Sequence, residues 1–139
     1  MANRFKRKEV LEALLKLMSN VVQEVYTTVR PTVKETSKNW AVVSLPYGIN
    51  ASTSTLNYAH ARIQLFYKDR ENGIENVNAG EELIDKTIEA MDRDLSVGGR
   101  FAHLMTCNDQ PRVLYFKSDH MGYHSVVIQF KLIISFINN

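Results

Sequence analysis

The stretch GYHSVVIQFKLIISF, residues 122–136, restricts what this chain can fold into more than any other part of it. His124, Val126, Ile128, Phe130, Leu132, Ile134 and Phe136 share one parity, and Ser125, Val127, Gln129, Lys131, Ile133 and Ser135 share the other. A period of two marks a strand with one face turned to a core. Strands commonly run about 5–6 residues. Unbroken, this one spans roughly 45–50 Å at about 3.3 Å per residue, more than a compact domain of this length needs. The excess implies use by something outside the domain.

A chain of 139 residues with 45% hydrophobic content buries enough apolar surface for one domain over 1–139, without covalent staples. Residues 1–7 stand apart as a basic arm. Cys107 is the single cysteine, so neither an internal disulfide nor a cysteine-based metal set is expected, and an intracellular home is favoured. VLEALLKLMSNVVQ carries Glu12 and Lys16 among its apolar positions, which makes it an amphipathic helix rather than the continuous apolar core of a signal peptide. Gln129 and Lys131 interrupt the C-terminal strand in the same way, so no run approaches the ~18 apolar residues of a membrane span. A soluble chain is expected. The net charge is +2, with Arg4, Lys6, Arg7 and Lys8 concentrated at the start, and a solvated arm explains them more cheaply than nucleic-acid binding does.

Leu11, Leu14, Leu15, Met18, Val21, Val22, Val25 and Val29 repeat at helical intervals and predict a first helix from about Lys8 to Thr28, stopped before Pro31. NWAVVSLP, 39–46, reads as a strand, and 46–57 as a polar loop or an extended hairpin tip. From Tyr58 to Lys68, Ala59, Ala61, Ile63, Leu65 and Tyr67 alternate with His60, Arg62, Gln64 and Lys68, predicting a second strand with one apolar face. After the polar excursion 69–78, Asn78 and Glu81 have capping-box spacing and open a helix from about Ala79 to Leu95, closed by Gly98-Gly99. RFAHLMTC, RVLYFK and the long strand complete the chain. The order predicts an α+β domain: a mainly antiparallel sheet of four to five strands, packed on one face by two helices. The face bearing Ser125, Gln129, Lys131 and Ser135 is expected to be wet in a monomer.

Phosphate loop, dinucleotide fingerprint and nucleophile elbow are all missing. His60, His103, His120 and His124 lack the spacing that converges metal ligands. In SDHMGYH, His120 and His124 could form an acid–base pair tuned near neutrality, but a turn at Gly122 with His124 entering the sheet accounts for them better. LMTCND supplies neither base nor positive charge for Cys107, leaving it a small buried apolar residue. Trp40 and Tyr47 bracket the first strand, and core packing explains Trp40 more cheaply than stacking on a base.

The sequence of elements, with HARIQLFYKDRENG leading into AGEELIDKTIEAMDRDL and strands closing on HSVVIQFKLIISF, resembles the tail-completion or tail-terminator proteins of long-tailed phages from about Asn39 onward. The last strand carries the family's type of pattern at His124, Val127, Phe130 and Leu132. The resemblance implies a small structural subunit of a phage or prophage, without catalytic residue, cofactor or metal, that closes into a homo-oligomeric ring, commonly of six. The ring would terminate the tail and join it to the head, contacting tail-tube and head–tail connector proteins but no membrane. It would assemble in the host cytoplasm and reside in the virion tail, meeting nucleic acid only as DNA passing through a lumen.

A ring needs one pair of unlike patches repeated around an axis, and a long strand with a spare face or edge is a natural patch. Val127, Gln129, Lys131 and Ile133 are therefore the candidate interface. Tyr47 and Asn50, with Asp69, Arg70, Glu71 and Asn72, are the candidate loop residues facing tube or connector. Asp at Val127 or Ile133 is expected to abolish assembly and leave the monomer folded. The alternative is a small nucleic-acid-binding module using the basic arm and exposed sheet aromatics. An enzyme built on His120 and His124 has least support, because no partner groups are placed beside them.

Overall fold

Two long strands, Leu56–Lys68 and Tyr123–Phe136, pair antiparallel through 13 consecutive register positions, from Leu56 opposite Ser135 to Lys68 opposite Tyr123. The computed structural model describes residues 5–27, 39–46, 49–51, 56–106, 111–117 and 122–136. In chain order its elements are α1 (Arg7–Met18), β1 (Glu24–Thr27), β2 (Trp40–Ser44), β3 (Ile49–Ala51), β4 (Leu56–Lys68), α2 (Val77–Ala90), β5 (Arg93–Val97), β6 (Arg100–Thr106), β7 (Arg112–Lys117) and β8 (Tyr123–Phe136). The alternation of apolar side chains along β4 and β8 is what brings them together. Ala59, Ala61, Ile63 and Leu65 face the same side as Leu132, Phe130, Ile128 and Val126, and all eight are buried.

This pair is the centre of a curled, eight-stranded sheet with the main path β1-β2-β4-β8-β6-β5. On the free edge of β4 lie β2, opposite residues 62–66, and β3, opposite 57–59. On the free edge of β8 lie β7, opposite 124–129, and β6, opposite 132–136. The surplus length of β8 is therefore taken up within the chain, by two short strands laid end to end. Every described pairing is antiparallel except β1 with β2, which is parallel and makes the sheet mixed.

The two helices cover one face. Val10, Leu14, Leu17 and Met18 of α1 and Leu83 and Ile84 of α2 join the buried β4 and β8 residues in one core. The helix α1 touches β1 and β2 near one margin of the sheet and β5 at the other, so it closes the open side of the curl. Phe5 and Glu9 fix its start: Arg100 lies over the Phe5 ring at 4.9 Å and 3.9 Å from Glu9, while Glu9 Oε1 accepts from the Lys6 backbone N–H at 2.8 Å. Gly80 lets α2 approach β4, since a Cβ there would sit 2.7 Å from the buried Tyr67 ring.

Several boundaries differ from expectation for local reasons. The first helix stops at Met18, not Thr28, because VVQEVYTTV is rich in β-branched residues, whose stiff side chains favour an extended chain; Glu24–Thr27 becomes a strand instead. The second helix starts two residues earlier, capped by Asn76 and not Asn78; the Asn76 side chain accepts from the Ala79 N–H. It ends at Ala90, and residues 93–97 form a hairpin with β6. Gly98 and Gly99, at φ +61 and +79, are the two central residues of that hairpin turn rather than a helix stop. These reassignments, with β3, raise the sheet from the expected four or five strands to eight.

Gly98 is held to glycine by its φ, and the Glu9 carboxylate, at the end of a flexible side chain, would have to swing aside for a Cβ. Gly98→Ala is expected to cost about 1–2 kcal/mol through the backbone alone, and more by displacing Glu9, as read by urea unfolding. Gly99→Ala, with open space around it, should show only the backbone share.

Candidate functional site

The sheet face turned away from both helices, hereafter the outer face, is closed at one end and open at the other. At the closed end Trp40 stacks on its cross-strand partner Phe66, centroids 3.6 Å apart and planes 10° from parallel. Tyr26 meets Trp40 edge-on, and Tyr123 and Val42 complete this second small core. Ser125 and Val127 are buried beside it, with Gln64 Nε2 donating to Ser125 Oγ at 3.3 Å. The expectation of a uniformly wet face therefore fails at this end. Phe66 and Trp40 sit on the parity that otherwise carries polar residues, and their rings need burial wherever they point.

Val127 is consequently not available to a neighbour. It is 1% exposed within the single chain, and both edges of β8 are paired. Of the candidate interface, Gln129 and Lys131 are exposed and Ile133 is half-buried. They belong to rows that cross the sheet: Arg62, Gln129 and Arg112 lie opposite one another, and Tyr58, Ile133 and Met105 form a second row. Lys131 lies between these rows, its Nζ 5.8 Å from the centre of the Tyr58 ring. On the strands flanking this open end, Phe101 is 58% exposed and Met105 37% exposed. Arg62, Arg112 and Lys131 thus share one small area of the sheet in which no described residue opposite them is a carboxylate.

A second constellation joins the loop after β4 to the start of β8. His124 Nδ1 donates to Asp69 Oδ1 at 2.5 Å, and its Nε2 lies 3.7 Å from Glu75. The other oxygen of Glu75 accepts from the Tyr67 hydroxyl at 2.7 Å, and the Asp69 backbone N–H donates to the Gly122 carbonyl at 2.8 Å. This chain of bonds anchors residues 69–75 to the sheet. Asp69 is therefore turned inward, 8% exposed at its side chain, and is not free to meet a tube or connector. Arg70 and Glu71 are exposed, and Asn72 lies in the 3-10 turn Glu71–Gly73. Sequence reasoning placed no partners around His124, because only the β4–β8 register brings residues 69 and 75 to 124.

The Tyr67 phenol is held well above its ordinary value of 10.0, first by burial and then by its bond to Glu75. Tyr115, bonded to Glu81 at 2.8 Å, is raised mainly by that bond, and Tyr123 is raised chiefly by burial. Elsewhere, His103 pairs with Asp94 at 2.6 Å, and Asn50 lies in β3. Lys6, Arg7 and Lys8 are exposed along the start of α1. Arg4, Tyr47, Cys107 and His120 lie outside the described residues. Among the described residues no group of His, Cys, Asp and Glu is placed to hold a metal ion, and no helix is long and apolar enough to cross a membrane.

No protein-family model matches the chain, and no curated protein matches it. A solved structure of unstated function is similar over 98% of this chain and 100% of its own length, at 10% identity and a TM-score of 0.56. At that identity the likeness shows the fold alone.

Val127→Asp is expected to unfold the protein, costing more than about 3 kcal/mol for a buried charge with no partner, whereas Ile133→Asp leaves far-UV circular dichroism and urea stability nearly unchanged. Alkali should also weaken the fold. The unfolded chain ionises its tyrosines near pH 10, while folded Tyr67 stays neutral to higher pH, so stability falls as pH climbs above about 10. Tyr67→Phe should make that fall shallower in urea titrations at pH 9 to 11.

Proposed function

We propose that this chain is a structural subunit of the phage tail-completion or tail-terminator type, acting by self-assembly rather than turnover. The observation that supports it best is the open end of the outer sheet face. A half-buried Ile133 beside exposed Phe101 and Met105 leaves apolar surface that one copy of the chain does not cover, as a subunit awaiting a neighbour does. The resemblance of the sequence to the tail-completion proteins from about Asn39 onward suggests the class. On this reading the subunits close into a homo-oligomeric ring, commonly of six, made in the host cytoplasm and retained in the virion tail. The ring ends the tail and meets tail-tube and connector proteins. With Val127 buried, the interface moves to Gln129, Lys131, Ile133, Met105 and Phe101.

The measurement is mass in solution by light scattering. The wild-type chain, 15.9 kDa as a monomer, is expected at a fixed multiple of that mass, and Phe101→Asp with Ile133→Asp is expected to return it to the monomer with unchanged circular dichroism. A wild type that stays monomeric at high concentration would remove the reading.

A second reading, a nucleic-acid-binding module, is favoured by the exposed Lys6, Arg7 and Lys8 at the start of α1. It predicts binding to a labelled oligonucleotide that weakens steeply with salt, and no binding at 20 mM salt would dispose of it.

A further inference from the structure

The large apolar side chains exposed among the described residues lie on two surfaces, which differ in charge. Phe101, Met105 and Phe116 lie on the outer sheet face. With them lie Arg62, Arg112 and Lys131, and none of the three makes an ion pair with a described residue. The carboxylates nearest this face are engaged: Asp94 lies opposite His103, between Phe101 and Met105, and pairs with it, Asp92 accepts from the Thr106 N–H, and Glu24 accepts from the Tyr26 hydroxyl. The stretch of this face around Arg62, Arg112 and Lys131, between Phe116 at one end and Met105 and Phe101 at the other, is basic.

Ile74, Val77 and Tyr115 are the other three. They surround the N-terminal part of α2, where Tyr115 donates to Glu81. Glu82, Asp85 and Glu89 continue along the exposed side of the helix, and its single lysine, Lys86, is already held by Glu82 at 3.0 Å. Arg70 is exposed nearby, and so is Lys117, two residues from Tyr115 on the same side of β7. This patch is apolar and acidic. Its leading loop is fixed in place by the Asp69–His124–Glu75 bonds, so ordering it on contact costs little.

We propose that these patches are the two halves of one contact between copies of this chain: the basic outer sheet face of one subunit receives the acidic side of α2 of the next. The inference rests on the self-assembly reading and gives it a partner surface. Two unlike patches on opposite sides of the sheet form a heterologous contact, which closes into a ring or propagates as a filament. A nucleic acid would satisfy the arginines but would leave the apolar, acidic patch without a counterpart. A second copy satisfies both with the same surface area.

Charge exchange tests this directly. In one variant the sheet face is reversed, Arg112→Glu with Lys131→Glu; in another the helix is reversed, Glu82→Lys with Asp85→Lys. All four positions are exposed, and circular dichroism checks that each variant is folded. Each variant alone is expected to be monomeric by light scattering at concentrations where the wild type is assembled. Their equimolar mixture is expected to regain an assembled mass, because the reversed face of one now complements the reversed helix of the other. Wild-type assembly should weaken about tenfold or more between 50 and 500 mM salt. Variants that keep the wild-type mass, or a mixture that stays monomeric, would overturn this contact while leaving the self-assembly reading standing. A monomeric wild type would overturn both. An oligonucleotide bound by the wild type, lost in the sheet-face variant while the assembled mass is unchanged, would reassign the face to nucleic acid.

Discussion

The antiparallel pairing of β4 with β8 is the constraint on which the rest of the molecule depends. Side chains alternate along both strands, so a slip of one residue would turn every core side chain of one strand to the opposite face. The register that places Ile63 opposite Ile128 and Ala61 opposite Phe130 therefore fixes the core under the helices. It also fixes what appears on the other side. Arg62 must lie opposite Gln129, and Phe66 opposite Ser125, whatever those residues do. The open surface and the aromatic cluster are both consequences of one pairing.

That pairing also explains why the two charged-polar constellations sit where they do. Placing Tyr67 opposite His124 brings the loop that follows β4 beside the start of β8, so that Asp69 and Glu75 reach the imidazole. An acid loop that composition alone would leave solvated is thereby bonded to the sheet. The helix that follows begins from a fixed point, and Gly80 then allows it to lie close over the Tyr67 ring. Loop, helix and strand behave as one body around a tyrosine that neither ionises readily nor meets water.

Much of this was readable from period-two alternation. The long strand, its partner from residue 58 to 68, both helices and the α+β class follow from apolar spacing, because burial of a single face leaves a regular trace in the chain. What escaped was of three kinds. Val21, Val22, Val25 and Val29 fit a helical spacing equally well, and only their β-branching argued for a strand. Gly98-Gly99 serves a helix end and a hairpin equally, and the choice lies with the pairing of residues 93–97 with 100–104. Val127 looked like a surface position because its neighbours in the pattern are polar; it is buried in a row with Val42, Gln64 and Leu114 that only the strand register assembles. Gln129 and Lys131, which stay exposed, were legible as the polar parity of β8. Phe101 and Met105 gained their place only through the register of β6.

The central position of β8 bears on how the chain is made. A helix and three strands separate β4 from it, and synthesis proceeds at about 5–20 residues per second. Until β8 leaves the ribosome, β4 presents a long, bare hydrogen-bonding edge flanked by Ile63 and Leu65, the kind of surface that captures other extended chains. The nascent protein thus spends seconds in a sticky, half-built form, and its yield in a cell depends on how well that edge is shielded in the interval.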